Sequence, residues 1–265
     1  EPVVDLDITN ATDLSDTGTA NCYIVSEPGI YKFQPTKGCS KESVGNIETS
    51  NVLWKSFGTS IVPAKEELIN IACFKDGYIA FEVPGDFKEG NAVIAAKDAN
   101  GSVLWSWHIW LTDKPEEQTY FNNAGTMMDR NLGATSATPG DVGALGLLYQ
   151  WGRKDPFLGS SSTGSAKAAA AMHGNWQNVQ SNSATGTIAY TIAHPTIFVY
   201  QNTTNNDWYY SSSSATDNTR WTASDKEKSI YDPCPAGWRV PDGGENGVWA
   251  LAAGSSDSFT NTFDL

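Results

Sequence analysis

The stretch that decides the fold is "NAVIAAKDANGSVLWSWHIWLTD", residues 91–113. Two strand-like runs flank Asp98-Ala99-Asn100-Gly101, which predicts a β-hairpin turn. Successive side chains of a strand point to opposite faces, so the second run has two faces. One face carries Val103, Trp105, Trp107, Ile109 and Leu111, and the other carries Leu104, His108 and Trp110. Neither face is wholly polar, which predicts a central strand of a packed β-sandwich.

The preceding sequence repeats the strand–turn–strand pattern. In "NCYIVSEPGIYKF", residues 21–33, two runs are joined by Glu27-Pro28-Gly29. In "LINIACFKDGYIAFEV", residues 68–83, the turn is Asp76-Gly77. Several short strands with turn signals between them predict an N-terminal all-β sandwich over residues 1–115.

The composition changes at "TDKPEEQT", residues 112–119, where charge and a proline separate two aromatic-rich parts. This change predicts a domain boundary. Residues 175–225 are rich in Asn, Thr and Ser with little periodicity, which predicts that residues 116–265 form a C-terminal α+β domain with long loops. One short Ala-rich helix is expected there, with Ser165 as its N-cap and Gly174 as its stop.

The charge balance excludes two classes of partner. The 265-residue chain has a formal net charge of -13 and 17 scattered Lys and Arg, which disfavours nucleic acid and anionic lipid. No apolar run reaches the roughly 18 residues of a membrane span. The chain opens at the acidic "EPVVDLDITN", which fits either a mature end left by an export leader or a trimmed cytosolic start.

Four cysteines, Cys22, Cys39, Cys73 and Cys234, allow three full disulfide pairings. None lies in a C-x-x-C pair, so a structural zinc site is not expected. Cys22 and Cys39 flank one predicted hairpin and would pair in an oxidising compartment. The alternative is that the thiols are free and buried as small apolar groups.

Motifs for catalysis are absent from the sequence. There is no G-x-S-x-G elbow, and "GDVGALG" matches neither a dinucleotide-binding fingerprint nor a phosphate-binding loop. His108 is expected inside a strand, His173 at a helix C-terminus and His194 in an extended segment. The 30 acidic residues leave a carboxylate-dependent hydrolase open, because that pairing is spatial. No cofactor is expected; calcium is the weaker alternative, at loops around Asp207, Asp217 and Asp242.

Carbohydrate binding has the best candidate cluster. Exposed aromatic rings cover the apolar faces of sugars, and neighbouring amides and carboxylates bind hydroxyls. "NNDWYY" followed by "RW" brings such residues together. The predicted ligand-binding residues are Asn205, Asp207, Trp208, Tyr209, Arg220 and Trp221. The alternative is that these rings form the core of a loop-rich domain.

The stretch "YDPCPAGWRVPDGGENGVWAL", residues 231–251, is interpreted as architecture. Two prolines around Cys234 predict a stiff corner, followed by a short strand over residues 238–240. Asp242 then has the position of an N-cap, with Glu245 completing a capping box. A helix with an apolar face follows. That face is Val248, Trp249, Leu251 and Ala252.

Two blocks of this sequence carry a family resemblance. "MDRNLGATSATPGDVGALGLLYQWGRKDPF", residues 128–157, and "YDPCPAGWRVPDGG", residues 231–244, resemble the Fibrobacter succinogenes major paralogous domain. The likeness covers residue 119 to the C-terminus and extends, more weakly, to C-type-lectin-like folds. The preceding blocks "DLSDTGTANCYIVSEPGIYKF" and residues 91–113 are similar to the β-sandwich of Bacteroides fimbrillin-like and cell-adhesion proteins.

The resemblance implies export to the cell surface or outer membrane, and adhesion or pilus-associated binding without catalysis. The partners it implies are a host or bacterial surface glycan or protein and other pilus subunits. Members of the family continue past the last helix into closing strands, whereas this sequence ends at Leu265. The resemblance leaves three alternatives for the lectin-like domain: it is truncated, processed, or completed by another strand. A soluble glycan-binding module of a polysaccharide-utilisation system is the alternative function, and a carboxylate-dependent hydrolase is a further one.

Overall fold

The structure is a computed structural model that describes residues 6–164, 168–201, 207–211, 220–224 and 226–253. Within these ranges the chain is mostly β-strands in several sheets, with two α-helices of six residues each. The strands are β1 (Thr12–Asp13), β2 (Cys22–Val25), β3 (Gly29–Phe33), β4 (Thr49–Ser56), β5 (Ile71–Lys75), β6 (Tyr78–Val83), β7 (Gly90–Lys97), β8 (Val103–Leu111), β9 (Glu117–Tyr120), β10 (Gly125–Met128), β11 (Leu147–Tyr149), β12 (Pro156–Leu158), β13 (His173–Gly174), β14 (Gln177–Gln180), β15 (Ile197–Tyr200), β16 (Thr222–Ser224) and β17 (Glu227–Lys228). The helices are α1 (Ile188–Ala193) and α2 (Val248–Ala253). The predicted β-rich character is confirmed.

The hairpin β7–β8 forms the centre of a five-stranded sheet with strand order β13-β4-β7-β8-β2. β7 pairs with β8 in antiparallel register, and β2 runs parallel to β8 on its other side. The Asp98 carboxylate stabilises the turn by accepting hydrogen bonds from the amides of Asn100 (2.9 Å) and Ser102 (2.8 Å). Gly101 has φ +79°, a left-handed conformation that glycine adopts without strain. The predicted central strand and its turn are confirmed.

A second sheet has four strands in the order β1-β3-β6-β5. The predicted hairpin at Asp76-Gly77 is confirmed, because β5 and β6 pair across this turn. The hairpin predicted for residues 21–33 is wrong. β2 belongs to the five-stranded sheet and β3 to the four-stranded one, so the chain crosses from one sheet to the other at the Pro-Gly turn. Such a turn presets local dihedral angles but does not choose the long-range partner of either strand.

The side chains of the two sheets form one buried hydrophobic core. Phe33 and Phe81 come from the four-stranded sheet, and Ile94 and Trp107 from the five-stranded one. The Phe33 and Trp107 rings meet edge to face, with centroids 5.2 Å apart. Burial of large aromatic and branched side chains removes apolar surface from water and supplies most of the stabilisation of this part.

The later half of the chain packs on the outer face of the five-stranded sheet. β13 pairs with β4 at the sheet edge. The Trp110 indole donates to the Ala134 carbonyl (2.9 Å), and the Asn91 amide donates to the Gly133 carbonyl (2.9 Å). The predicted domains, residues 1–115 and 116–265, therefore share a sheet and buried hydrogen bonds, and the boundary between them stays a prediction.

The short helix predicted before Gly174 is wrong for the residues that the structure describes, 168–174. His173 lies in β13 and not at a helix C-terminus. The backbone of this segment bonds to distant residues: Ala170 donates to Gly159 (2.9 Å) and Ala171 donates to Thr59 (2.7 Å). Long-range hydrogen bonds thus override the helix propensity of alanine. Ser165, the predicted N-cap, lies outside the described residues.

The segment of residues 231–251 is a corner without the predicted strand at 238–240. The Asp232 carboxylate takes the place of a strand partner, accepting from the amides of Cys234 and Val240 (both 2.8 Å). The predicted N-cap role of Asp242 is wrong, because its carboxylate binds the Arg239 guanidinium (2.7 and 2.9 Å). The helix that was expected next is present as α2. No helix among the described residues is long and apolar enough to cross a membrane.

Candidate functional site

Four of the six predicted ligand-binding residues lie together. The Arg220 guanidinium pairs with the Asp207 carboxylate and lies over the rings of Trp208 (5.2 Å) and Tyr209 (5.0 Å). Trp208 and Arg220 are only 4% and 6% exposed, so these two side chains are scaffold rather than surface. Asn205 lies outside the described residues.

The fifth described member of the predicted cluster, Trp221, lies beside a ring that was not predicted. Trp221 is half-buried, donates its indole hydrogen to the Arg153 carbonyl (3.0 Å) and packs on Trp151, with centroids 4.8 Å apart. The Trp151 carbonyl accepts from Trp208 (2.6 Å) and Arg220 (2.9 Å). The buried cluster therefore fixes the backbone that carries Trp151.

Gly152 explains why the "QWGRKDPF" block requires a glycine. It has φ +82°, and a Cβ built there would lie 2.4 Å from the Cβ of Arg220. The position needs both a left-handed backbone and the absence of a side chain. Because Gly152 has no side chain, the Arg220 side chain packs directly on this backbone, and the buried cluster contacts the segment that carries Trp151.

Three aromatic rings stay exposed around this scaffold, and we refer to Trp151, Tyr200 and Tyr210 as the aromatic surface. Their exposed fractions are 46%, 44% and 38%. Ser181 links the segments that carry them, since its amide donates to the Tyr200 carbonyl (2.9 Å) and its hydroxyl to the Trp208 carbonyl (2.6 Å). Rings at this exposure on a braced backbone are suited to contact with a sugar or a protein.

The block also contains three consecutive charged residues that are all buried, Arg153, Lys154 and Asp155. The Lys154 ammonium donates to Asp155 (2.7 Å) and to the Ser106 carbonyl (3.0 Å). Asp155 also accepts from the Ser106 hydroxyl (2.6 Å). Burial lowers the pKa of Lys154 from its usual range, against the opposing effect of Asp155. Hydropathy alone predicts such a run at the surface, so sequence reasoning missed this buried group.

A buried row of residues has the composition of a nucleophilic site. The Cys22 thiol lies 3.3 Å from His108 Nδ1, and His108 Nε2 lies 2.8 Å from the Asn91 side-chain oxygen. The Tyr149 hydroxyl lies 3.4 Å from the same Nδ1. Burial raises the pKa of Cys22 far above its usual range and lowers the pKa of His108 to about 3. A protonated thiol and a neutral imidazole, both inaccessible, make a structural network rather than a reactive pair.

Cys234 is likewise buried, and burial raises the pKa of its thiol well above the usual range. The guanidinium of Arg239, five residues further along the chain, binds the Asp242 carboxylate and not this thiol. None of the four cysteines forms a disulfide in the structure; Cys39 is exposed and Cys73 is half-buried. Which of them pair under oxidising conditions stays open.

A groove of about 580 Å³ lies where the β7–β8 turn meets the later half of the chain. Leu53, Val103 and Ile197 form apolar parts of its lining, and Trp176 contributes a half-buried ring. The polar lining comes from Lys97, Ser102, Asn175, Gln177 and His194. The sequence argument did not identify this groove, because its residues come from four distant segments.

Metal binding has no clear site among the residues that the structure describes. These residues contain no group of three His, Cys, Asp or Glu side chains that could hold an ion. Of the three predicted calcium loops, Asp207 pairs with Arg220 and Asp242 with Arg239, and Asp217 lies outside the described ranges. The calcium alternative stays a prediction.

The hydrolase alternative also stays a prediction. Two carboxylates that are buried within the described ranges, Asp155 and Asp232, bind a lysine and backbone amides.

Comparisons with protein-family models, with curated proteins and with solved structures find no match for this chain. The resemblance to the Fibrobacter succinogenes major paralogous domain is therefore carried by the quoted sequence blocks alone.

Proposed function

We propose that this chain is a non-enzymatic cell-surface adhesion or pilus-associated binding protein that contacts its partner through the aromatic surface. The observation that carries the proposal is the exposure of Trp151, Tyr200 and Tyr210 on a backbone braced by buried hydrogen bonds. Large aromatic rings offer contact area to a partner, and rings held on a braced backbone need little reordering to bind.

Two further observations support binding over catalysis. The side chains best suited to nucleophilic chemistry, Cys22 and His108, are buried. Their pKa shifts keep both of them uncharged near neutral pH. The resemblance of the quoted blocks to surface and adhesion proteins points to the same function and to export. The partner class is a host or bacterial surface glycan or protein.

We also propose the finer fold classes, a fimbrillin-like β-sandwich for residues 1–115 and a lectin-like α+β domain for the later part. The shared core of the two sheets supports the first. A crystal structure of the protein tests both classes. A single continuous β-domain without a separable later part would contradict them.

The test of function compares two exposed aromatic residues. We expect Trp151→Ala to weaken adhesion of the purified protein to target cells about 30-fold, as truncation of an interface hot spot does. Phe121→Ala is the matched control, because Phe121 is 85% exposed on the β9–β10 connection. Equal adhesion of both variants would contradict the role of the aromatic surface, and absence of the native protein from the cell envelope on fractionation would contradict the function.

A soluble glycan-binding module is the second candidate. One observation favours it, the groove in which a fixed Trp176 ring lies next to the amide side chains of Asn175 and Gln177. An array of glycans probed with the purified protein separates the candidates. Glycan binding without cell adhesion would favour the module.

A further inference from the structure

The groove differs from the remainder of the molecule in charge. The chain carries 30 Asp and Glu residues and a net charge of -13. Among the described residues, no carboxylate lines the groove, and its ionisable side chains are Lys97 and His194. Within the same described ranges neither of these two forms an ion pair. The nearest acid in sequence, Asp98, is occupied by the turn amides of Asn100 and Ser102.

A buried guanidinium lies behind the groove wall. Arg153 is 2% exposed and holds the loop that lines the groove, donating to the carbonyls of Ile197 (2.8 Å) and His194 (3.4 Å). Its remaining described acceptor is the neutral side chain of Gln150 (2.7 Å), and its Nε has no hydrogen-bond partner among the described residues. Among the described residues, no carboxylate is hydrogen-bonded to this guanidinium. The charge of Asp155, two residues along the chain, acts on it through space and offsets part of the field that it adds at the loop.

The apolar side of the groove is rigid. The Trp176 ring packs against Phe157 (5.7 Å) and Phe198 (6.0 Å), which are themselves in edge contact (5.2 Å). β14 and β15 pair in parallel next to this ring, so its backbone is also fixed. A fixed indole bordered by the exposed amides of Asn175 and Gln177 is suited to the apolar face and hydroxyls of a sugar ring.

We propose that this groove binds an acidic saccharide, one whose sugar rings carry carboxylate or sulfate groups. The ring stacks on Trp176, the hydroxyls bind Asn175 and Gln177, and the anionic group binds Lys97 and His194. The assignment rests on the proposed function as a binding protein, but it places a ligand site apart from the aromatic surface. It also explains how an acidic protein can bind an acidic polymer, since local rather than net charge acts at contact distance.

The experiment measures binding of an oligogalacturonate and of its fully methyl-esterified counterpart by isothermal titration calorimetry. The two probes share the sugar ring and length and differ in charge. We expect the acid to bind at least about tenfold more tightly than the ester, as for loss of a charge-assisted hydrogen bond. An array of sulfated and sialylated glycans is probed in parallel to identify the anionic group.

The variants replace only the two basic side chains of the groove lining. Lys97→Gln with His194→Gln is expected to weaken binding of the acidic probes about tenfold and to leave the ester unchanged. Both residues lie on the groove lining rather than in the core, and thermal unfolding checks that each variant is folded. Lys41→Gln is the matched control, because Lys41 is exposed and lies outside the groove lining.

The outcomes separate this proposal from the proposed function. Equal affinity for acid and ester, no effect of the double variant, or no binding of any acidic glycan would overturn the groove assignment. In each of these cases the proposed function stands if adhesion is observed and Trp151→Ala weakens it. If the native protein binds acidic glycans but does not adhere to cells, the adhesion function is overturned and the assignment of the groove stands.

Discussion

The two faces of β8 are built by different physical means. One face places Trp105, Trp107 and Ile109 in the apolar core between the sheets. The other face places Ser106, His108 and Trp110 against the later half of the chain, where each side chain makes a hydrogen bond or polar contact. The first face depends mainly on apolar shape, with one indole hydrogen bond from Trp105 to Asn21 (2.9 Å), whereas the second has a polar partner at each of these positions.

This difference governs how the halves of the chain are joined. Apolar contacts tolerate substitution by residues of similar volume. A buried polar contact fails when one partner is lost, because the other partner keeps its desolvation cost without compensation. We therefore expect mutations at the outer face of the five-stranded sheet to be more costly than comparable changes in the core.

The largest expected effect is at the buried ion pair. Asp155→Ala leaves the Lys154 ammonium buried without its carboxylate and is expected to lower the free energy of unfolding by about 3 to 5 kcal/mol. Urea unfolding followed by tryptophan fluorescence measures the change. Ile109→Val on the core face is the comparison, with an expected cost of about 0.5 to 1.5 kcal/mol.

The double variant Lys154→Met with Asp155→Leu sharpens this prediction. Removing both charges also removes the desolvation cost, so the pair of substitutions is expected to destabilise less than Asp155→Ala alone. A double variant that is as unstable as the single one would assign the effect to lost shape rather than to an orphaned charge.

The second effect is a pH dependence caused by His108. Burial lowers the pKa of His108 to about 3 in the folded chain, whereas an exposed histidine has a pKa near 6.5. Below pH 6.5 the unfolded chain binds a proton that the folded chain does not, so stability falls as pH decreases, by at most about 1.4 kcal/mol per pH unit. The neighbouring Cys22 and Tyr149 stay protonated in this range, because burial raises the pKa of both.

Chemical unfolding at several values between pH 7 and pH 4 measures this slope. The carboxylates of the chain contribute their own dependence, so the readout is the difference between the native protein and His108→Gln. A smaller slope in the variant is expected. Identical slopes would show that His108 is accessible to protons in the folded state, contrary to its burial.

The smallest expected effect is a difference in the free energy of unfolding between variants at two tryptophans on opposite faces of β8. Trp110 donates its indole hydrogen to the Ala134 carbonyl, whereas Trp107 Nε1 has no partner among the described residues. Both rings are buried, so replacement by Phe removes similar apolar contact. Trp110→Phe is expected to cost about 0.5 to 1.5 kcal/mol more than Trp107→Phe, the net contribution of one hydrogen bond. Equal unfolding free energies would show that the face contacts are equivalent.

Local patterns predicted much of the strand content. The β7–β8 and β5–β6 hairpins follow from alternation and turn residues, which act over a few neighbouring positions. The false hairpin at residues 21–33 and the false helix before Gly174 share one cause. Their backbone groups bond to residues far away in sequence, and no local pattern contains the identity of those partners.

The candidate site was predictable in composition but not in exposure. The aromatic cluster around Trp208 was identified from its residue types, and the structure brings most of its described members together. The exposed rings are instead Trp151, Tyr200 and Tyr210, because the Arg220–Asp207 pair is buried. The groove at Trp176 was missed, because its lining is assembled from separate segments.

The sequence by itself determined the β-rich character, the central position of β8, the negative net charge and the rigid corner at Cys234. Each of these depends on residue types or on neighbours along the chain. Only the tertiary structure decided that Arg153, Lys154 and Asp155 are buried and that Cys22 and His108 are locked together. It also decided that basic residues, and no described acidic residue, line one groove of an acidic protein. Burial and pairing depend on which distant segments meet, and their energies are therefore properties of the folded chain.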